Sequence, residues 1–209
     1  FALIIALVLN LHLKGINLYR TIYYLPTIFG SSIAVAFLWK SFFLKEGIIN
    51  TLLDRIGITG PAWLGNPRWA LFTIALLSIW QFGSSMVIFL AGLKQIPQSL
   101  LESASVDGAG RIQKFIHITM PGIAPMISYN LLMQTIQAFQ VFAAPYAIFD
   151  GKGGPMNSVL VFGIHLYRHA FKYFKIGYSS ALAWVLLLII TVTAMVLKII
   201  LNKISPTDE

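Results

Sequence analysis

Asn130, Gln134 and Gln137 recur at i, i+4 and i+7, with Gln140 at the edge of the same helical face. Earlier in the chain, Ser78, Gln81 and Ser85 set out a second polar face in the same way. Amides and hydroxyls beside Trp80, Tyr129 and Phe139 could bind the hydroxyls and ring faces of a polar solute. The same groups serve equally well as hydrogen-bonding links between helices in lipid, so both readings stand for each residue.

Catalytic chemistry finds less support. His165 and His169 stand at i, i+4, but no acidic residue lies between them and no third ligand is near, while His12 and His117 are isolated. That falls short of the ligand set a zinc site needs, and no Ser/His/Asp set is legible. The Gly151-Lys152-Gly153 triplet lacks the spacing and the Ser/Thr of a phosphate-binding loop, so the chain does not hydrolyse ATP itself. The expectation is a non-enzyme with no cofactor or metal of its own.

Composition points to lipid as the solvent. Hydrophobic residues are 57% of the 209 and charged residues 11%, and mean hydropathy is +0.79, against roughly a quarter charged in soluble domains. The net charge of +8 is spread through short connections, which suits lipid headgroups and argues against nucleic acid. There is no cysteine, so disulfides and thiolate metal sites are excluded.

Crossing the hydrocarbon takes about 20 apolar residues. Hydropathy places complete spans at 26–43, 69–93, 123–148 and 178–201. A partial one at 1–13 reads as the tail of a helix begun upstream, and the whole forms one membrane domain. Segment 14–25, with Lys14, Arg20, Tyr19, Tyr23 and Tyr24, suits the headgroup level. Segment 44–68 holds an amphipathic helix over 48–56 and then the breakers Gly57, Gly60 and Pro61. Successive crossings put 14–25, 94–122 and the C-terminal tail on one side and the other two connections opposite. Lys and Arg divide almost evenly between the sides, so charge bias does not orient the chain. No Asp or Glu lies inside a span, and Lys40 sits only near a span end. Ion-coupled transporters bury ionisable groups along their pathway, so energy must come from elsewhere.

The connection 94–122 carries the sharpest pattern. Pro97 suits a first helical turn, and Leu100, Leu101 and Ala104 line one face. Asp107-Gly108 ends that helix, because glycine takes the left-handed conformation a stop requires. A second helix follows, with Ile112, Phe115, Ile116 and Thr119 on one face and Arg111, Gln113 and Lys114 facing away, until Pro121 stops it. Two short helices around a tight turn make a stiff knob that transmits force.

This hairpin resembles the EAA loop of the inner-membrane permease subunits of binding-protein-dependent ABC importers. Glu102-Ser103-Ala104, Asp107-Gly108-Ala109, Phe115 and Ile118-Thr119-Met120-Pro121 follow the family pattern, with Ser103 in place of an alanine and Met120 in place of a leucine. FLAGLKQIP (89–97), GGPMNS (153–158) and LYRHAFKYFKIGYSSA (166–181) resemble the carbohydrate-uptake branch, the maltose- and glycerol-phosphate-type permeases.

The resemblance implies an all-α, polytopic type I importer fold that is truncated at its N-terminus, in a bacterial or archaeal cytoplasmic membrane. It implies that Glu102, Ser103, Ala104, Asp107, Gly108, Ala109, Arg111, Phe115 and Pro121 dock on a cytoplasmic ATPase, with Glu102 paired to a basic group there. The implied partners are a second permease subunit, two ATPase subunits that bind the ATP and Mg, and an extracytoplasmic solute-binding protein. Segment 159–174 is a candidate amphipathic helix at the outer mouth. On the residues alone, a passive channel or membrane scaffold with a purely structural loop is the alternative.

Overall fold

The structure is a computed structural model that describes residues 1–11, 15–30 and 32–204. The expectations placed on His12 and Lys14 lie outside these residues. The chain runs through α1 (Ala2–Leu9), α2 (Ile16–Ile28), α3 (Ile33–Phe42), α4 (Ile48–Arg55), α5 (Pro67–Trp80), α6 (Gly83–Gln95) and α7 (Gln98–Val106). It continues through α8 (Arg111–Lys114), α9 (Met120–Gly122), α10 (Ala124–Phe139), α11 (Ala143–Ile148), α12 (Phe162–Tyr167) and α13 (Ile176–Ile204). No strand occurs among the described residues, as an all-α fold requires. Local chemistry starts several of these helices: the Ser32 and Asn66 side chains accept from the N–H groups of Ala34 (3.2 Å) and Arg68 (3.0 Å), and Pro67 opens α5.

Two compact units form, one from 1–28, 82–135 and the residues from 192 on, the other from 29–81 and 136–191. In the first, Ala6 and Leu9 of α1 pack on Met86, Phe89, Leu90 and Leu93 of α6, with Ile123 closing the cluster. These α6 residues recur every three or four positions, which is the spacing of a single buried helical stripe. Gly83 lets α2 approach α6. A Cβ there would strike Thr27 Oγ1 and come within 3.0 Å of Tyr23 O and Tyr24 Cα.

In the second unit, Ala36, Ala70, Ile74, Leu77, Ala147, Ile148 and Val159 form the core. Two indole N–H groups are paired across this core, which offsets the cost of taking them out of water. Trp39 Nε1 donates to Thr73 O (3.0 Å) and Trp63 Nε1 to Asn50 Oδ1 (2.7 Å).

The helices depart from the hydropathy spans in an informative way. Residues 178–201 fall within α13, where Ile176–Asn202 is long and apolar enough to cross a membrane. The other three expected crossings are interrupted. Segment 26–43 breaks after Ile28, 69–93 at Gln81 and Phe82, and 123–148 between Phe139 and Ala143. The pairs α2 with α3 and α5 with α6 are each apolar enough together for one broken span. Hydropathy counts apolar atoms and does not register where the hydrogen-bond ladder stops. Segment 14–25, read as a surface stretch, is helical from Ile16 onward, and α2 carries Pro26 in its last turn.

Candidate functional site

The hairpin lies wholly in the first unit. Pro97 caps α7 from just outside, with α7 itself starting at Gln98. At the far end Gly108 takes φ +81. The Ala109 N–H then donates to Ala104 O (2.9 Å) and the Gly108 N–H to Ser105 O (3.2 Å). That pair of bonds is a Schellman stop, which satisfies carbonyls the helix end leaves free. The next helix is capped at once, because Gln113 Oε1 reaches back to the Gly110 N–H (2.8 Å). Lys114 Nζ donates to Ser105 Oγ at 2.8 Å and braces one arm against the other. Ser103, where the family pattern has alanine, turns its hydroxyl into its own helix and donates to Ser99 O (2.7 Å).

Pro121 does not stop the second arm. The helix widens into a π turn over Phe115–Thr119, in which the Met120 N–H bonds Phe115 O, and α9 carries Pro121 before the chain breaks at Ile123. The wide turn just before the proline loosens the backbone where its ring would otherwise meet a carbonyl one turn back. It also shifts the helical phase. Phe115, Ile118 and Thr119 are half-buried, while Ile112 and Ile116 are exposed, so the expected face 112-115-116-119 is split. Val106 adds to the exposed side: it is 89% accessible and Ile112 75%. Val106 gave no sequence signal, since a valine on a short helix reads as core.

Glu102 is exposed beside a groove of about 900 Å³ that Arg20, Lys94 and Lys114 also line. Among the described residues Glu102 has no ion-pair partner. A carboxylate set among cations and next to bare aliphatic side chains can form a charge pair with an incoming basic group.

The polar faces are placed as follows. Gln134 Nε2 donates to the buried Ser85 Oγ (2.8 Å), which joins α10 to α6. Asn130 is buried and donates to Met126 O (3.0 Å). Gln81 ends α5, and its amide donates to Gly30 O (2.6 Å), covering a carbonyl at the break between α2 and α3. Ser78 bonds back to Ile74 O (3.4 Å) and is exposed, as is Gln137. Ser85, Gln134 and Gln81 thus act as links within their own units, while Ser78 and Gln137 present polar groups outward.

In the second unit α12 continues into a π turn, Arg168–Lys172. The His165 and His169 rings meet at 4.5 Å, with Tyr173 and Tyr178 also against His169 at 5.2 and 4.8 Å. Burial, followed by the charges of His165, Lys175 and Arg168, holds the His169 imidazole below its usual range. Arg168 donates to Tyr173 Oη (3.1 Å), and this bond draws the Tyr173 phenol down. No group of three metal-ligating side chains occurs among the described residues.

The family model for the inner membrane component of binding-protein-dependent transport systems matches residues 2–206. The chain belongs to that family. This permease chain is 52% identical over 198 residues to the probable ABC transporter permease protein YesP of Bacillus subtilis (strain 168), covering 94% of the chain and 64% of YesP. It is 40% identical to the sulfoquinovosyl glycerol transport system permease protein SmoG of Agrobacterium fabrum, over 78% of the chain and 53% of SmoG. It is 34% identical to the lactose transport system permease protein LacF of Rhizobium radiobacter, over 91% of the chain and 65% of LacF. The chain therefore spans roughly half to two thirds of these relatives.

Among solved structures, a bacterial ABC transporter involved in the import of the acidic polysaccharide alginate superposes with a TM-score of 0.75. The identity is 26%, over 98% of the permease chain and 71% of that one. A second match, with a TM-score of 0.72 and 26% identity over 98% and 70%, is an alginate transporter in complex with a periplasmic protein holding an alginate pentasaccharide. The fold is that of the type I importer permeases.

Proposed function

We propose that the chain is the membrane-spanning subunit of an ATP-driven importer for a sugar or related polar solute. In this reading the hairpin 94–122, together with 14–25 and the C-terminus, faces the cytoplasm, and 44–68 and 149–177 face outward. A second permease subunit completes the pathway, two ATPase subunits bind the ATP and Mg, and an extracytoplasmic binding protein delivers the solute. Closure of the ATPase pair drives the hairpins together and swings the spans between inward- and outward-facing arrangements as rigid bodies. Ser78 and Gln137 are the path-lining candidates, while Ser85 and Gln134 join α6 to α10, Gln81 covers the Gly30 carbonyl and Asn130 bonds within its own helix. The membrane is the cytoplasmic membrane of a bacterium or archaeon.

One observation carries the reading: a braced elbow at Gly108 leaves Glu102 and Val106 uncovered on one arm and Ile112 and Ile116 uncovered on the other. Exposed aliphatic groups with an adjacent unpaired charge are what a docked partner covers and neutralises. The likeness to permeases of lactose and sulfoquinovosyl glycerol transport systems supports a sugar as cargo. The test uses the full-length protein with its operon partners. Glu102→Lys and Gly108→Val abolish solute uptake and ATPase co-purification while membrane insertion, read by protease protection, stays normal. Full uptake by both variants, or a complex that never contains an ATPase, favours a passive channel or scaffold instead.

A further inference from the structure

A cavity of about 320 Å³ in the second unit has no part in the function described so far. Ile33 and Phe37 of α3, Tyr146 within α11, Phe142 and Asp150 just outside its two ends, and Tyr167 of α12 line it. Its rings touch one another: Phe142 lies 5.1 Å from Tyr146 and 5.4 Å from Tyr167, and Tyr146 meets Tyr167 edge-on at 5.1 Å. The polar part of the wall is the Asp150 carboxylate, which accepts from Lys40 Nζ at 3.3 and 3.2 Å. The Asp150 side chain remains 64% exposed, so its oxygens keep lone pairs for a further donor.

We propose that this cavity is a docking subsite for one uncharged sugar ring. A pyranose has an apolar C–H face and a rim of hydroxyls. The cavity offers aromatic rings for the face and a carboxylate to accept from the rim, with the Lys40 ammonium held on that carboxylate. A hydrocarbon chain makes no use of the ion pair, and a small ion makes no use of the rings. The Lys40–Asp150 pair is neutral as a unit, so an acidic sugar has to compete with Asp150 for the ammonium and is disfavoured. The inference rests on the importer reading above and refines it: the subsite lies beside the outward connection 149–177, where delivered solute arrives first.

Asp150 has φ +51, a region that Asn and Asp adopt more readily than other side chains. Asp150→Asn therefore keeps the backbone and removes only the charge. The full-length permease, assembled with its partner permease and ATPases in nanodiscs, is examined by saturation-transfer NMR with lactose as the neutral probe and galacturonate as the acidic one. In the native protein lactose ring protons take up saturation and galacturonate does so weakly. Asp150→Asn weakens lactose roughly tenfold and raises the galacturonate signal, because Lys40 is released to pair with it. Tyr167→Ala lowers the lactose signal without the gain for galacturonate.

Lactose saturation that is absent, or equal in all three proteins, overturns the subsite. So does labelling of Tyr146 or Tyr167 by a diazirine-bearing lipid tail that lactose does not compete away. ATPase co-purification is scored on the same samples. An assembled complex without lactose binding leaves the importer reading standing and removes only the subsite. Lactose binding with no ATPase ever present removes the importer reading alone.

Discussion

Gly108 shows how one backbone angle decides a local structure. With φ +81 and open space where a Cβ would sit, any side chain there meets strain and no clash. The cost for ordinary residues is about 1–2 kcal/mol, and Asn bears less of it. Uptake by Gly108→Asn should therefore stay near normal while Gly108→Val loses it, a split that transport assays on both variants would reveal. The position was legible because a left-handed stop needs a glycine, and the Asp107-Gly108 pair sits between two apolar periodicities. His169 was not legible, since its partners Tyr173 and Tyr178 reach it only through the π turn and the start of α13.

His169 also sets a pH dependence. Its folded pKa lies below the ordinary 6.5, chiefly through burial. Unfolded chains thus bind more protons than folded ones in the interval just below 6.5. The native contribution is intact above that value and is lost as pH falls through the folded pKa. Apparent Tm should drop between pH 7 and pH 5 more steeply for the native protein than for His169→Gln. Equal slopes would remove His169 from that role.

At the scale of elements, Gly83 fixes how closely α2 and α6 approach. The obstructing Tyr23 and Tyr24 atoms belong to backbone, which does not rotate away, so Gly83→Ala forces the helices apart. The expected loss is about 1–3 kcal/mol, measured as a lowered unfolding midpoint in detergent, and a variant as stable as the native protein would contradict the packing described. Apolar periodicity made the helices themselves legible, from α4 near 48–56 to both arms of the hairpin. Their interruptions were hidden. Gln81 looks like a path-lining amide in sequence, yet it covers the Gly30 carbonyl at a break that only tertiary structure creates. Pro121 looks like a stop, yet a wide turn accommodates it.

At the scale of the whole molecule, the excess of apolar and the shortage of charged residues pointed to lipid as the solvent, while the all-α class came from the family resemblance. The division into two units was not visible, since each is gathered from segments far apart in the chain. No residue in the apolar window of α13, mean hydropathy 2.6, is buried, so much of its surface is left for lipid or a neighbour subunit. Leu188, 60% accessible, lies near its middle. Leu188→Arg should reduce insertion by roughly 2.5–3.5 kcal/mol, read by glycosylation mapping of a translocon substrate, and unchanged insertion would argue against a spanning role.

The first unit's makeup also dictates an order of birth. Ala6 and Leu9 share one buried cluster with Met86, Phe89, Leu90 and Leu93, and a ribosome adding 5–20 residues each second reaches those partners roughly ten seconds later. During that wait α1 lacks most of its buried partners, and membrane chaperones or quality-control proteases compete for it until α6 is synthesised.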